Sequence, residues 1–262
     1  MQTQVITNRA QFDPQADAYL SSAVHAGGAD LAFVEELLMD LPAAARAIDV
    51  GCGAGHLAFA FARRLREVTA CDPAPSMLAT VRAAAVERGV GERVSTCEAA
   101  ADALPFATAS FDVVGTRYSA HHWCDLPAAL RELRRVLRPG GRLLVVDLLG
   151  EDQPLADTWL QAIELLRDPG HVRDRSFAEW AALLQQAGFA VDRARRFRIE
   201  LEFASWIARM RTPPELAAAI RTLQSRASHE VHAALSIQPD GSFSAWTGVF
   251  SCSVPGVLPS AA

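Results

Sequence analysis

Residues 47–55 read AIDVGCGAG: a short apolar run that breaks into glycine at every second position and passes directly into HLAFAFARRLRE, an Ala-rich stretch of helical length. A buried strand that turns at once into a helix commits the chain to strand–helix alternation. In an open parallel sheet, ligands sit beyond the carboxyl ends of the strands, which is where such a connecting loop lies. One glycine would suffice for a tight turn. Three, at 51, 53 and 55, point to a bend in which a ligand approaches the backbone without a Cβ in the way.

The alternation continues. VTACD (68–72), RVSTCE (93–98), SFDVVGTRY (110–118) and RLLVVDLL (142–149) read as strands. PSMLATVRAAAVERG and LPAALRELRRVL between them read as helices. A helix at 177–188 and a strand near 189–198 follow. Right-handed crossovers then give a mostly parallel sheet covered on both faces. Upstream, 15–41 reads as a helix stopped by Pro42, with Leu31, Val34, Leu37, Leu38 and Leu41 at three- and four-residue steps. Residues 200–236 break the rhythm as two helices parted by Pro213-Pro214. GSFSAWTGVFSCSV (241–254) alternates apolar with polar, as an exposed-edge antiparallel strand would.

Composition narrows the function. The 262 residues carry a net charge of −5 and 25 basic side chains, all arginine, so a Schiff-base or phosphate-loop lysine is excluded. The densest basic run, RARRFR at 193–198, reads as a solvated strand edge and not as a polyanion-binding face. Five scattered cysteines without a CxxC pair indicate neither a disulfide framework nor a zinc site. With no signal-like N-terminus and no long apolar span, the expectation is a cytoplasmic protein without membrane or metal.

The glycine spacing departs from the G-x-G-x-x-G dinucleotide fingerprint. Asp49 precedes the bend, and Asp72 ends the second strand, where a carboxylate can accept both ribose hydroxyls of NAD or of another adenosine ligand, or cap the next helix.

Taken together, AIDVGCGAGH, VTACDPAPSML, DALPFATASFDVV, TRYSAHHWCDLPAALRELRRVLRPGG and RLLVVD resemble the class I S-adenosylmethionine-dependent methyltransferases. Within them the chain is similar to the methyltransferase type 11 domain of the ubiquinone/menaquinone-biosynthesis group. The later LLRDPGHVRDRSFAEWAALLQQAGF resembles an uncharacterised bacterial small-molecule subgroup. The resemblance implies an α/β, Rossmann-like sandwich: a seven-stranded, mostly parallel sheet with its last strand antiparallel and helical lid elements. It implies one domain over 1–262, with a core at about 43–198 plus 241–254, and with 15–41 and 200–236 as lid.

By that resemblance, Gly51, Cys52, Gly53 and Gly55 cradle the methionine end of S-adenosylmethionine and Asp49 meets its amino group. Asp72 and Pro73 lie at the ribose, Met77 covers the adenine, and Arg117 stands at the tip of the fourth strand. The family's usual adenine-contacting Asp is replaced by Ala100, which leaves the backbone near Ala101 to serve. His121 and His122 are the candidate bases, because histidine titrates in a suitable range if the acceptor must lose a proton. Tyr118, Trp123, Arg167, His171 and Arg173 are candidate acceptor contacts. The reading is methyl transfer to a small-molecule acceptor by a monomer or homodimer, without nucleic acid, since RYSA stands where base-amine methyltransferases carry [DN]PP[YF]. Two alternatives stay open: a carboxyl O-methyltransferase resembling the malonyl-carrier-protein enzyme, and a non-catalytic S-adenosylmethionine-binding sensor.

Overall fold

The computed structural model describes residues 27–255. Seven strands form one sheet in the order β3-β2-β1-β4-β5-β7-β6. They are β1 (Arg46–Val50), β2 (Glu67–Asp72), β3 (Val94–Glu98), β4 (Phe111–Arg117), β5 (Leu137–Leu149), β6 (Ala190–Leu201) and β7 (Phe243–Ser253). The first five pair in parallel, and β7 runs antiparallel to both β5 and β6. The expected sandwich with an antiparallel last strand is therefore present.

Helices α1 (Ala29–Leu37), α2 (His56–Ala62) and α3 (Pro75–Glu87) pack on one face around Val34, Phe61 and Val81. Every residue of α2 is buried, which its alanines allow by admitting close approach to the sheet. The opposite face is covered by α4 (Leu126–Val136) and α6 (Phe177–Gln186) around Leu133, Trp180 and Leu184. α4 buries Leu126, Ala129, Leu130, Leu133 and Val136 as one stripe and is N-capped by Asp125, which accepts the Ala128 N–H at 2.8 Å. Of the expected helix over 15–41, only Ala29–Leu37 is described as helix; residues 15–26 lie outside the described residues.

Beyond β5, α5 (Pro154–Arg167) receives the helices of the 200–236 segment: α7 (Phe203–Met210), α8 (Pro214–Arg226) and α9 (His229–Leu235). The break at Pro213 falls where the sequence places it, but Ala227 takes an extended conformation and divides the second expected helix in two. These helices share an apolar cluster with Leu148, Leu201 and Phe243, at the ends of three neighbouring strands.

One expectation is corrected. The 241–254 strand is not an exposed edge: β7 lies between β5 and β6 and is buried along almost its whole length. Two of its small polar residues bond neighbouring side chains. Ser244 donates to Glu200 at 2.8 Å, and the Thr247 and Tyr118 hydroxyls meet at 2.9 Å, so the alternation marks hydrogen bonding and not solvent. The edge is β6, where Arg193, Arg195 and Arg196 stand exposed as the arginine run suggests.

Gly115, in the middle of β4, is there for space. A Cβ at this position would meet Phe61 at 2.6 Å and Leu57 at 2.8 Å. Gly115→Ala is expected to lower stability by about 1–3 kcal/mol through overpacking, measured as a fall in the urea unfolding midpoint at unchanged slope.

Candidate active site

Strand order reverses between β1 and β4, which opens a crevice at their carboxyl ends. The glycine bend fills its floor. The N–H groups of Gly51 and Cys52 both donate to Cys71 O, at 2.8 and 3.0 Å, and lay the bend against the end of β2. Gly51, Gly53 and Gly55 have φ of +69°, +49° and +89°. A side chain at 51 would strike Ser119 and one at 55 would meet Val81 at 2.9 Å, whereas a Cβ at 53 would meet nothing. Gly53 is thus the open position of the three.

Asp49 sits inside β1 with almost no exposure. Its Oδ2 accepts the Ala58 N–H at 2.9 Å; its Oδ1 is buried and has no hydrogen-bond partner. Burial, with the nearby Asp72 charge, pushes its pKa up to about 7 against the pull of the Ala58 N–H. Asp72 accepts Gly53 N–H and Ala74 N–H, both at 2.9 Å, and so ties the bend to the start of α3. Cys52 lines the same cavity, but burial pushes its thiol far up, which rules out thiolate chemistry.

The tip of β4 forms the other wall. Arg117 pairs with Asp30 of α1 at 2.8 Å, both side chains 4% exposed, and its guanidinium stacks over the Tyr118 ring. A short 3-10 turn, Ala120–His122, follows. His121 Nδ1 lies 2.6 Å from Asp147 Oδ1, while Asp147 Oδ2 accepts the His121 backbone N–H at 3.0 Å. Burial alone would lower the His121 pKa, but the Asp147 charge and hydrogen bond, with Asp174 and Glu164 adding, raise it to about 9. His122, its ring 4.1 Å away, bonds Gly170 O at 3.0 Å; burial and the His121 charge lower it to about 4. His171, bonded to Gln161 at 2.9 Å, is lowered to about 3 for the same reasons.

These walls enclose a cavity of about 200 Å³. Asp49, Gly51, Cys52, Gly53, Asp72, Pro73 and Met77 line one half; Arg117, Tyr118, Trp123, His121, His122 and Arg167 line the other. Gly55, Ala100, Ala101, His171 and Arg173 are not on the lining. Gly55 leads into α2, and Ala100 and Ala101 follow β3, while Arg173 is occupied by Asp157 and Glu179. The sequence reading did not single out Glu164, Leu148, Ile199, Leu201 and Arg209 on the lining, nor Asp147 behind His121. Asp147 had a signal: an acid in the middle of RLLVVDLL. Among the described residues no group of His, Cys, Asp and Glu is placed to hold a metal, and no helix is long and apolar enough to cross a membrane.

Comparison with known proteins agrees with this architecture. A family model described as a methyltransferase domain matches residues 48–145. The chain is 45% identical over 193 residues to the uncharacterised protein YafE of Escherichia coli, covering 74% of this chain and 93% of that one. It is 35% identical to the uncharacterised methyltransferase YcgJ of Bacillus subtilis, over 86% and 88% of the two chains. The crystal structure of YcgJ superimposes with a TM-score of 0.81, covering 87% of this chain and 99% of that one. Likeness to the ubiquinone/menaquinone biosynthesis C-methyltransferase UbiE of Hahella chejuensis, 37% identical, covers only 43% of this chain and 47% of that one.

The buried histidines make stability depend on pH with two opposite signs. His122 and His171, lowered in the fold, contribute stability that is present above about pH 6.5 and lost as pH falls towards 4. His121, raised in the fold, contributes stability that is full below about pH 6.5 and lost as pH rises through 9. Chemical denaturation across pH should show a decline on both sides; Asp147→Asn should flatten the alkaline one and, by removing the His121 charge that lowers His122 and His171, also soften the acid one.

Proposed function

The chain belongs to the methyltransferase-domain family, as a class I methyltransferase, and from that premise we propose that its cavity takes S-adenosylmethionine across the glycine bend and delivers the methyl group to a small-molecule acceptor beside His121. The observation that supports this most directly is the unpartnered Oδ1 of Asp49. A buried carboxylate oxygen without a donor is costly, and the α-ammonium of a methionine moiety is a group that would satisfy it. Gly53, open where a side chain would stand, leaves room for that end of the donor. Asp72, held by the Gly53 and Ala74 N–H groups at the carboxyl end of β2, is the carboxylate placed to meet the ribose hydroxyls. Met77 and Pro73 give the adenine an apolar seat.

When bound, the donor supplies a methyl carbon already activated by its sulfonium, so the chain's part is alignment and exclusion of water. The acceptor side suits that part. Tyr118 and Trp123 flank the His pair, and Ile199, Leu201 and Trp206 close it from the strand ends and from α7. Trp206 packs edge-on against Phe243 at 5.0 Å, which anchors the 200–236 segment as the cover of this half.

S-Adenosylhomocysteine, which shares the donor's ammonium and ribose, should raise the melting temperature, and NAD should not. Pairing Asp49 with an ammonium lowers its pKa again, so binding at pH 6 should release close to one proton, falling towards none at pH 8. Calorimetry in buffers of different ionisation enthalpy reads this number directly. Asp49→Asn should abolish the release and weaken binding about 10- to 100-fold, as for loss of a hydrogen bond to a charged group. If S-adenosylhomocysteine leaves the melting temperature unmoved, the donor assignment fails.

A further inference from the structure

The His121–Asp147 pair holds one ring nitrogen of His121 against a buried carboxylate and leaves the ring on the cavity lining. Asp147, near the carboxyl end of β5 and 1% exposed, accepts three N–H groups: His121 Nδ1 at 2.6 Å, the His121 backbone at 3.0 Å and the Leu148 backbone at 2.9 Å. The backbone of His121 is held from the far side as well, since Val172 and Arg173 N–H both donate to its carbonyl, at 2.9 and 3.1 Å. The ring cannot turn. With Nδ1 committed to Asp147, Nε2 is left on the opposite side, with no hydrogen-bond partner among the described residues and with the ring on the cavity lining.

The charged surroundings fix which state that nitrogen is in. From β5 comes Asp147 and from α5 Glu164; Asp174, in the loop after α5, has both oxygens buried and unpartnered, and burial beside Glu164 pushes its carboxyl well above the usual range. The other two histidines nearby, His122 and His171, are kept neutral by burial and by the His121 charge. The ring thus stays doubly protonated at neutral pH; a value of about 9 leaves roughly one molecule in a hundred deprotonated at pH 7. Two further carboxylates of this half have partners. Glu164 is bonded by Arg167 at 3.1 Å, and Asp168 accepts the Gly170 N–H at 2.7 Å. Tyr118, Trp123 and Arg209 also line this half, and its apolar part is Leu148, Ile199, Leu201 and Trp206.

We propose that the acceptor enters as an anion, an acid already ionised at its attacking atom and carried on an apolar frame, with that charge set against the Nε2–H of His121 and its frame against Leu148, Ile199, Leu201 and Trp206. This rests on the donor reading above and names the acceptor class for the same cavity. The transfer balances without a proton. A lone pair of the anion forms the bond to the methyl carbon, the carbon–sulfur bond breaks, and its electron pair stays on sulfur. Anion and sulfonium both end neutral, and His121 keeps its hydrogen throughout. Carboxylates, acidic phenols and enols fall in this class; neutral alcohols and amines, which need a base, do not.

The test is binding to the full-length protein saturated with S-adenosylhomocysteine, with 2-naphthoate and its neutral shape-match 2-naphthamide as probes. At pH 7 naphthoate should bind at least tenfold more tightly. The preference should vanish between pH 8 and 10, because a raised histidine loses its cation as pH rises through 9. A general base would gain with pH instead. His121→Gln should bind the two probes equally while still binding S-adenosylhomocysteine. If that variant does not fold, nitrogen-15 spectra of the wild-type histidines serve: one ring should stay doubly protonated to about pH 9 and shift on adding naphthoate. No carboxylate preference in the wild type, whether both probes bind or neither does, overturns the proposal, as does a preference that survives at pH 10 or a ring that is neutral at pH 7. Failure to bind S-adenosylhomocysteine in the first titration sinks the donor reading instead, so the two outcomes stay distinct.

Discussion

Two adjacent parallel strands that send the chain to opposite faces of a sheet cannot both be covered at their carboxyl ends. β1 leaves for α2 beneath the sheet, in the core around Phe61, and β4 leads to α4 on the other side, around Leu133. The gap between their exits is the crevice, and the polar burial of the molecule gathers around it. Asp49 is in β1, Asp72 at the end of β2, Arg117 at the end of β4, and Asp147 in β5. A carboxylate buried within a strand destabilises unless something answers it. Three of these groups are answered by the protein: Asp72 by backbone N–H groups, Arg117 by Asp30, and Asp147 by His121. Asp49 is answered on one oxygen only. That imbalance is hard to explain as stability and easy to explain as a place held for a ligand.

How much of this was legible depended on how local the cause was. The glycine bend could be read because its reasons lie within nine residues: a strand end, a turn and a helix start, with φ positive at each glycine. Asp72 could be read because strand length fixes where β2 ends. His121 could be read as a residue at the site but not as a charge, since its partner is 26 residues away and pairs only once β5 lies beside β4. The Asp30–Arg117 pair spans 87 residues, and no pattern in either segment announces it. The β7 error has a related cause. Period-two alternation reports which residues are small or polar, and Ser244 and Thr247 are polar toward Glu200 and Tyr118 inside the protein. His171 and Arg173 lie off the lining, and a Gly- and Pro-containing loop gives no direction that would show it; in the fold their side chains turn to Gln161, Asp157 and Glu179, and the Arg173 N–H holds the His121 carbonyl.

The His pair shows how closely spaced, identical side chains are made different. The two rings are 4.1 Å apart and both are buried, so desolvation presses each to stay neutral. What separates them is one carboxylate distance. His121 has Asp147 at 2.6 Å, whereas the carboxylate facing His122, Asp168, is at 3.9 Å and its Nδ1 meets the Gly170 carbonyl. Once the first ring holds a proton, its charge opposes a second on the neighbour, and His122 and His171 fall further. Three histidines within about one ring spacing therefore carry one proton between them beyond neutrality, and it resides on the ring whose free nitrogen looks into the cavity. Moving the carboxylate from behind His121 to behind His122 would transfer the charge to a ring bound to Gly170 and take it from the acceptor's side, with no change in composition or net charge. The position of Asp147 in β5, and not the presence of histidine, decides what this wall offers a substrate.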